Sequence, residues 1–206
     1  MSLTIYQVKK KLKKNDSKKV FNLIKRENIY SILSNFSKKN INIFFDTVLS
    51  TNNFYLFLLK KNSKTIGYAL FVKNEKFLIN TFKNIKFLML LDLLIKFKLL
   101  TLINLFLAFT KLDLILLERN KLKNNKFSIN LNLLAIEKKF QSKSYGSFFV
   151  KKALRLIQKD FKYRTLTCEA PDARSLNFYI NNLNFKVVGK KIRLLNNLFL
   201  LKKKIN

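Results

Sequence analysis

The stretch LLAIEKKFQSKSYGS, residues 133–147, narrows what this chain can become more than any other. An apolar strand runs into a short polar loop that ends at Gly146, and Ser147 is placed to open a helix. A strand delivered so quickly into a helix calls for a sheet with helices packed on it, an α/β architecture. The same geometry gathers consecutive backbone N–H groups and the positive end of a helix dipole at one spot, which suits phosphate oxygens.

Composition is weighed against that anion site. With 206 residues, 49% of them hydrophobic, the chain can bury a substantial core, and it reads as one domain with an insertion. Its formal net charge of +31 attracts the phosphates of RNA, DNA, anionic lipid or a nucleotide cofactor alike. Lys, Asn, Ile, Phe and Leu crowd the sequence while Gly, Pro and Trp are scarce, a bias that AT-rich codons produce by themselves. Lys also far outnumbers Arg, the residue that phosphate readers recruit for its fork. Charge alone therefore does not establish a nucleic-acid partner, and nucleic acid is not the favoured reading. The one cysteine, Cys168, excludes an intramolecular disulfide and fits a reducing compartment. Without histidine the chain lacks the commonest zinc ligand and the commonest general base, so no metal is expected and Ser-His-Asp or Cys-His catalysis is excluded. The leading MSLTIYQVKKKLKKND has no apolar core of signal-peptide length, so a cytoplasmic protein is expected.

Residues 3–8 alternate as a short strand. Asp16 or Ser17 is placed to cap a helix running to about Lys38, with Val20, Phe21, Leu23, Ile24, Ile32, Leu33 and Phe36 inward. A second helix is expected over 41–50. FYLFLLKKNSKTIGYALFV reads as a hairpin of strands 54–59 and 65–72 around KKNSK. From Asn84 to Leu117 the chain is almost continuously apolar, with Lys98, Thr101, Asn104, Ala108 and Lys111 at helical steps. Its longest charge-free run, Leu99 to Thr110, falls short of the roughly 20 residues of a membrane span. A helical pair packed on the domain or on a partner, such as a second copy in a homodimer, or a helix lying in a membrane interface, is expected there. Strand 129–136, loop 137–146, a helix from Ser147 to about Lys159, strand 165–169, a turn at Pro171 and a helix over 173–182 follow. Strands 185–188 and 192–201 about a turn at Gly189 complete the order. The sum is a single mixed α/β domain, 1–206, with a helical insertion at about 80–125.

Two blocks of this order resemble a known family. LAIEKKFQSKSYGSFFVKKAL resembles the acyl-CoA-binding segment of the GNAT N-acetyltransferase superfamily, a strand followed by Gln/Arg-x-x-Gly-x-Gly/Ala and a helix. The pattern falls on Gln141, Ser144 and Gly146; Ser144 departs from the first glycine, and serine admits positive φ less readily. APDARSLNFYINNLNFKVVG, residues 170–189, resembles the downstream pattern Asn-x-x-Ala-x-x-Phe-Tyr followed by Gly-Phe. Asp172 stands for the Asn and Ser175 for the Ala, Phe178 and Tyr179 match, and Asn184-Phe185 replaces Gly-Phe. The resemblance implies a GNAT-like central sheet, mixed but mostly antiparallel, flanked by helices, with an apolar helical insertion before the coenzyme-binding strand. It also implies acetyl-CoA as acyl donor. The backbone of Leu134 and Ile136 would then pair with an extended pantetheine arm. The N–H groups of Ser142, Lys143, Ser144, Tyr145, Gly146 and Ser147 would receive the pyrophosphate, with Gln141 and Asp172 beside them. Lys143, Lys151 and Lys152 either screen the remaining charge or form a solvated face.

Acyl transfer from a thioester to an amine needs a neutral amine, stabilisation of a developing oxyanion and a proton for the departing thiolate. The resemblance puts Tyr179 where the family's acid often sits, and a phenol pKa of about 10 suits donation to a thiolate. A packed aromatic with a solvated hydroxyl is the other reading of that ring. Glu169, ending its strand, and Glu137, following the preceding strand, are candidates for the base; either can instead be structural, with a water chain in its place. Cys168 reads as a small core residue, since no histidine is there to activate it. The expected function is transfer of acetyl from acetyl-CoA to a primary amine by direct attack in a ternary complex. The long insertion turns analogy toward amino sugars or nucleotide amino sugars, and toward the inner face of a membrane reached through 84–117. The alternative is a noncatalytic basic module on the same fold, binding RNA or an anionic membrane surface through its lysines.

Overall fold

The computed structural model describes residues 2–95, 102–103, 127–191 and 198–205. Its centre is the apolar hairpin. β2 (Phe54–Lys61) and β3 (Lys64–Val72) pair antiparallel and turn over at Asn62 and Ser63. Both turn residues have positive φ (47° and 64°), the two-residue connection whose twist matches that of its strands. Successive side chains point to opposite faces of a strand. Leu56, Leu58, Tyr68 and Leu70 therefore enter one core, and Phe57, Leu59, Ala69 and Phe71 another. Coverage of both faces explains why these strands are almost continuously apolar.

β1 (Leu3–Val8) pairs with β2, and β4 (Ser128–Ile136) with β3, both antiparallel. β5 (Thr165–Ala170), β6 (Lys186–Lys191) and β7 (Leu198–Lys204) complete a seven-stranded sheet of order β1-β2-β3-β4-β5-β7-β6, in which β4 and β5 run parallel. The first core packs α1 (Lys14–Glu27), a 3-10 turn (Ile32–Asn35), α2 (Lys38–Leu49) and α3 (Glu75–Ile95) on one face. The second packs α4 (Tyr145–Asp160) and, through Leu176 and Tyr179, the short α5 (Ala173–Asn177) with the π turn Phe178–Asn182.

One irregularity positions the site. β4 and β5 are in register only from Ser128 to Leu131, opposite Thr165 to Cys168. Beyond that point β4 stays with β3 as far as Ile136 and β5 stays with β7 as far as Ala170, so the two parallel strands diverge. The register of β4 on β3 slips at the same level: Leu133 faces Leu70 while Leu131 faces Phe71, leaving Asn132 as a bulge that bends the strand.

Several expected boundaries move. The first helix stops at Glu27 rather than near Lys38. Ser31 and Ser37 each accept a backbone hydrogen bond that starts a new element, so the helical spacing of Ile32, Leu33 and Phe36 spans a break. Asp16 does not cap that helix; the N-cap is Lys13, and Asp16 lies in the first turn, accepting from Lys60 Nζ (2.9 Å) and Thr65 Oγ1 (2.6 Å). α4 opens at Tyr145, two residues before Ser147. Gly189 is not a turn: it lies inside β6, where the register shifts between Val187 and Gly189, and 192–197 lie outside the described residues. α3 begins at Glu75, ahead of the expected Asn84, while the remainder of 84–117 past Ile95, apart from 102–103, also lies outside them. No helix among the described residues is long and apolar enough to cross a membrane.

Candidate active site

Where β4 leaves β5, one continuous cleft of about 650 Å³ opens. β4 residues 130–136 form its floor. One wall is the loop and helix start holding Gln141, Ser142, Ser144 and Gly146; another comes from the α1 end, the 3-10 turn and α3.

The loop is shaped by two serines in the left-handed region, Ser142 (φ 60°) and Ser144 (φ 56°). Ser144 is the N-cap of α4, and no side chain caps that helix. The first-turn N–H groups of Tyr145, Gly146 and Ser147 are therefore aimed into the loop, where the helix dipole is positive. Gly146 lies within this turn at an ordinary φ rather than ending the loop. A Cβ there would lie 3.0 Å from Phe178 Cε2 and Cζ, so the two sequence blocks meet at this contact. The side chains of Lys143, Tyr145 and Ser147 do not line the cleft, and the expectation for these residues concerns their backbone N–H groups. Lys143 is exposed, the Tyr145 ring lies against Phe140 (6.3 Å between centroids), and Ser147 Oγ donates to Ser144 O (3.0 Å).

Gln141 is a crosslink. Its Nε2 donates to Ile136 O (2.6 Å) and Glu27 Oε2 (2.9 Å), and its Oε1 accepts from Arg174 Nη2, tying the ends of β4 and α1 to the start of α5. Glu137 N–H bonds back to Ile66 O on β3 (2.8 Å), so by strand alternation Leu134 and Ile136 direct their backbone groups to the edge that β5 has left. The carbonyls on that edge have side-chain partners. Ile136 O takes Gln141, and in the amide orientation that lets Asn28 accept from Tyr68 Oη (2.6 Å), the Asn28 nitrogen donates to Leu134 O (3.0 Å). The expected pairing with an extended ligand arm thus falls to the Leu134 and Ile136 N–H groups.

Tyr179 is buried, lines the cleft, and has the rings of Phe178 and Phe185 against it (5.3 and 5.5 Å). Burial, with Cys168 and Asp172 nearby, pushes its pKa well up, so the hydroxyl stays protonated. Glu169 lines the same cleft, and its Oε1 accepts from the buried Lys191 at 2.5 Å. Asp172 also lines it, yet its Oδ1 accepts from Ser175 N (2.7 Å) and Ser175 Oγ (2.8 Å) as the cap of α5, which occupies that oxygen with its own helix. Glu137 is removed as a base: it pairs with Lys19 (2.8 Å) and Lys139 (3.4 Å) away from the cleft lining. Its burial would raise the pKa, but those two cations hold it below the usual carboxylate value. Cys168 is buried in the core, its thiol pKa pushed up by burial and by Glu169.

No family model and no curated protein matches the sequence. Solved structures match its fold. A GNAT-family structure from Desulfovibrio desulfuricans matches with TM-score 0.61 over 100% of both chains at 9% identity. A ribosomal-protein-alanine N-acetyltransferase from Brucella melitensis gives 0.58 over 98% of this chain and 99% of its own, at 9% identity. The PaiA N-acetyltransferase from Thermoplasma acidophilum, solved with coenzyme A, gives 0.57 over 100% of both at 14% identity. The fold is the GNAT fold.

Within this GNAT fold the charge of the cleft differs from that of the chain. The described lining residues include the carboxylates Glu27, Glu169 and Asp172 against Arg174 and Lys191, so the +31 surplus lies elsewhere. An anion in this cleft would rely on backbone N–H groups and Arg174 rather than on a lysine field. Glu27, Asn28, Arg174 and Lys191 were not singled out from sequence. Arg174 had a signal, as an arginine inside the second block of a lysine-rich chain; the other three are brought in by a helix end and a strand pairing that leave no local pattern.

Proposed function

We propose that the chain is an N-acetyltransferase that moves acetyl from acetyl-CoA to a primary amine by direct attack in a ternary complex. The observation that carries this reading is continuity: a loop suited to phosphate and the Glu169 and Tyr179 side chains line one cleft. The relative from Thermoplasma acidophilum, solved with coenzyme A on the same fold, supports it. The residues present fit such a coenzyme. The N–H groups of Leu134 and Ile136 suit an extended arm, those of Tyr145, Gly146 and Ser147 with the Arg174 guanidinium suit a diphosphate, and Gly146 keeps the helix start tightly packed on Phe178.

When bound, acetyl-CoA supplies an activated acetyl thioester. Glu169 takes the proton that an acceptor ammonium must shed, with Lys191 holding the carboxylate in place. Tyr179 Oη, kept protonated by burial, holds the proton that a departing sulfur needs. Coenzyme A is expected to raise the melting temperature, and acetyl-CoA with an amine panel to give acetylated product. Neither a thermal shift nor any transfer would remove the proposal. The basic-module alternative predicts RNA or vesicle binding with a steep salt dependence and no coenzyme effect. The mixed charge of the cleft lining favours the enzyme. A peripheral membrane contact through α3, where Phe87, Leu94 and Ile95 are exposed, belongs to the same proposal; failure of the full chain to float with anionic vesicles would strike it out.

A further inference from the structure

Resting on the acetyltransferase reading, we infer that the acceptor is a primary amine carried on an apolar, uncharged body. The part of the cleft that α3 and the 3-10 turn build is hydrocarbon: Ile32, Leu33, Leu78, Ile79 and Phe82, joined by Leu198 from β7. Ile32, Leu78, Ile79 and Phe82 are only half-buried, so the surface they keep includes the cleft wall. The wall is backed by the core, since the Phe82 ring stacks on the fully buried Phe44 (5.3 Å, 29°). The α3 helix, at the head of the insertion, thereby acquires a task in the cleft.

Two polar side chains beside this wall already have partners. Ser31 Oγ accepts from Leu33 N (3.3 Å) and Asn28 is bonded to Tyr68 (2.6 Å). An amino sugar would bring hydroxyls against hydrocarbon and leave them without the hydrogen bonds they had in water. A polyamine would bring a second charge to the same place. An apolar body instead removes water from itself and from the wall, while Glu169 in the same cleft receives the ammonium. The amino-sugar expectation raised by analogy is thus the poorer match to these residues.

The test uses the full chain with saturating acetyl-CoA and compares kcat/KM for phenylalaninamide and leucinamide with glucosamine and spermidine. The apolar amines are expected to lead by roughly tenfold or more, the discrimination an apolar pocket can exert. Ile79→Asn should lower kcat/KM for phenylalaninamide roughly tenfold, mainly through KM, while the thermal shift with coenzyme A, which also reports folding, is retained. Glucosamine or spermidine in the lead overturns the inference, as does an Ile79→Asn variant that discriminates like the parent. A retained coenzyme shift with no transfer to the apolar amines also overturns it, leaving the coenzyme site standing. Loss of both shift and transfer in the parent chain instead removes the acetyltransferase reading, and the inference with it.

Discussion

The two ends of the cleft are built on different principles. The loop end is made by backbone: left-handed Ser142 and Ser144, uncapped N–H groups opening α4, and a glycine in close contact with the Phe178 ring. The apolar wall is made by side chains from the 3-10 turn, α3 and β7, where any apolar group of suitable volume would serve. Backbone geometry restricts residue types at fixed spacing and leaves a motif; an apolar wall restricts volume and leaves none.

The contrast can be broken or sharpened in order of expected effect. Tyr179→Phe should lower kcat about 100-fold with the coenzyme A thermal shift unchanged, because it removes a proton and no backbone group. Unchanged turnover would reduce Tyr179 to a packed aromatic. Gly67→Ala should cost about 1–3 kcal/mol in urea unfolding. Its Cβ would lie 2.5 Å from Ile136 Cδ1 and 2.8 Å from Ala135 O, pressing on β4 just where that strand forms the floor of the cleft. Gly146→Ala should weaken coenzyme A about tenfold by calorimetry, the ring of Phe178 having to give way beside the loop. Equal affinity would show that the close packing there is incidental. Ser144→Gly acts in the other sense: relief of a left-handed serine should add about 1 kcal/mol of stability and tighten the coenzyme.

The last test is of pH and touches both ends. Tyr68, bonded to Asn28, and Tyr179 are buried, and burial raises both phenols above their ordinary value. Because the folded values exceed the unfolded ones, the neutral rings contribute stability that is whole below pH about 10 and is lost as pH climbs toward the folded values. Melting temperature should be flat near neutrality and fall above pH about 10, and Tyr68→Phe should blunt that fall. A decline that begins well below that pH would point to other groups.

Much of this was legible in the sequence, for reasons that differ by element. The hairpin was readable because its strands are apolar on both faces, and β4 and α4 because their periods change across one polar loop. The break after Glu27 was not, since Ile32, Leu33 and Phe36 keep helical spacing while belonging to a separate turn. Gly189 reads as a turn in the sequence, yet glycine serves a bulge as well, and here it sits at one. In the cleft, the lining residues Tyr179 and Glu169 are legible through block and strand-end position. Their companions Lys191 and Glu27 are not, because a strand pairing and a helix terminus bring them in from elsewhere.

The short overlap of β4 and β5 also has a mechanical meaning. Among the described residues, the half-sheet β1 to β4 and the half-sheet β5 to β7 share backbone pairing only over a short seam, from Phe127 to Leu131. That seam joins two arms, and the cleft is the angle between them. Gln141 spans the angle from the β4 arm to Arg174 at the head of α5, and Lys191 of β6 and Glu169 of β5 brace the other arm within itself. Slowing of amide exchange along Ser128 to Leu131 when coenzyme A is added would register the two arms being locked together.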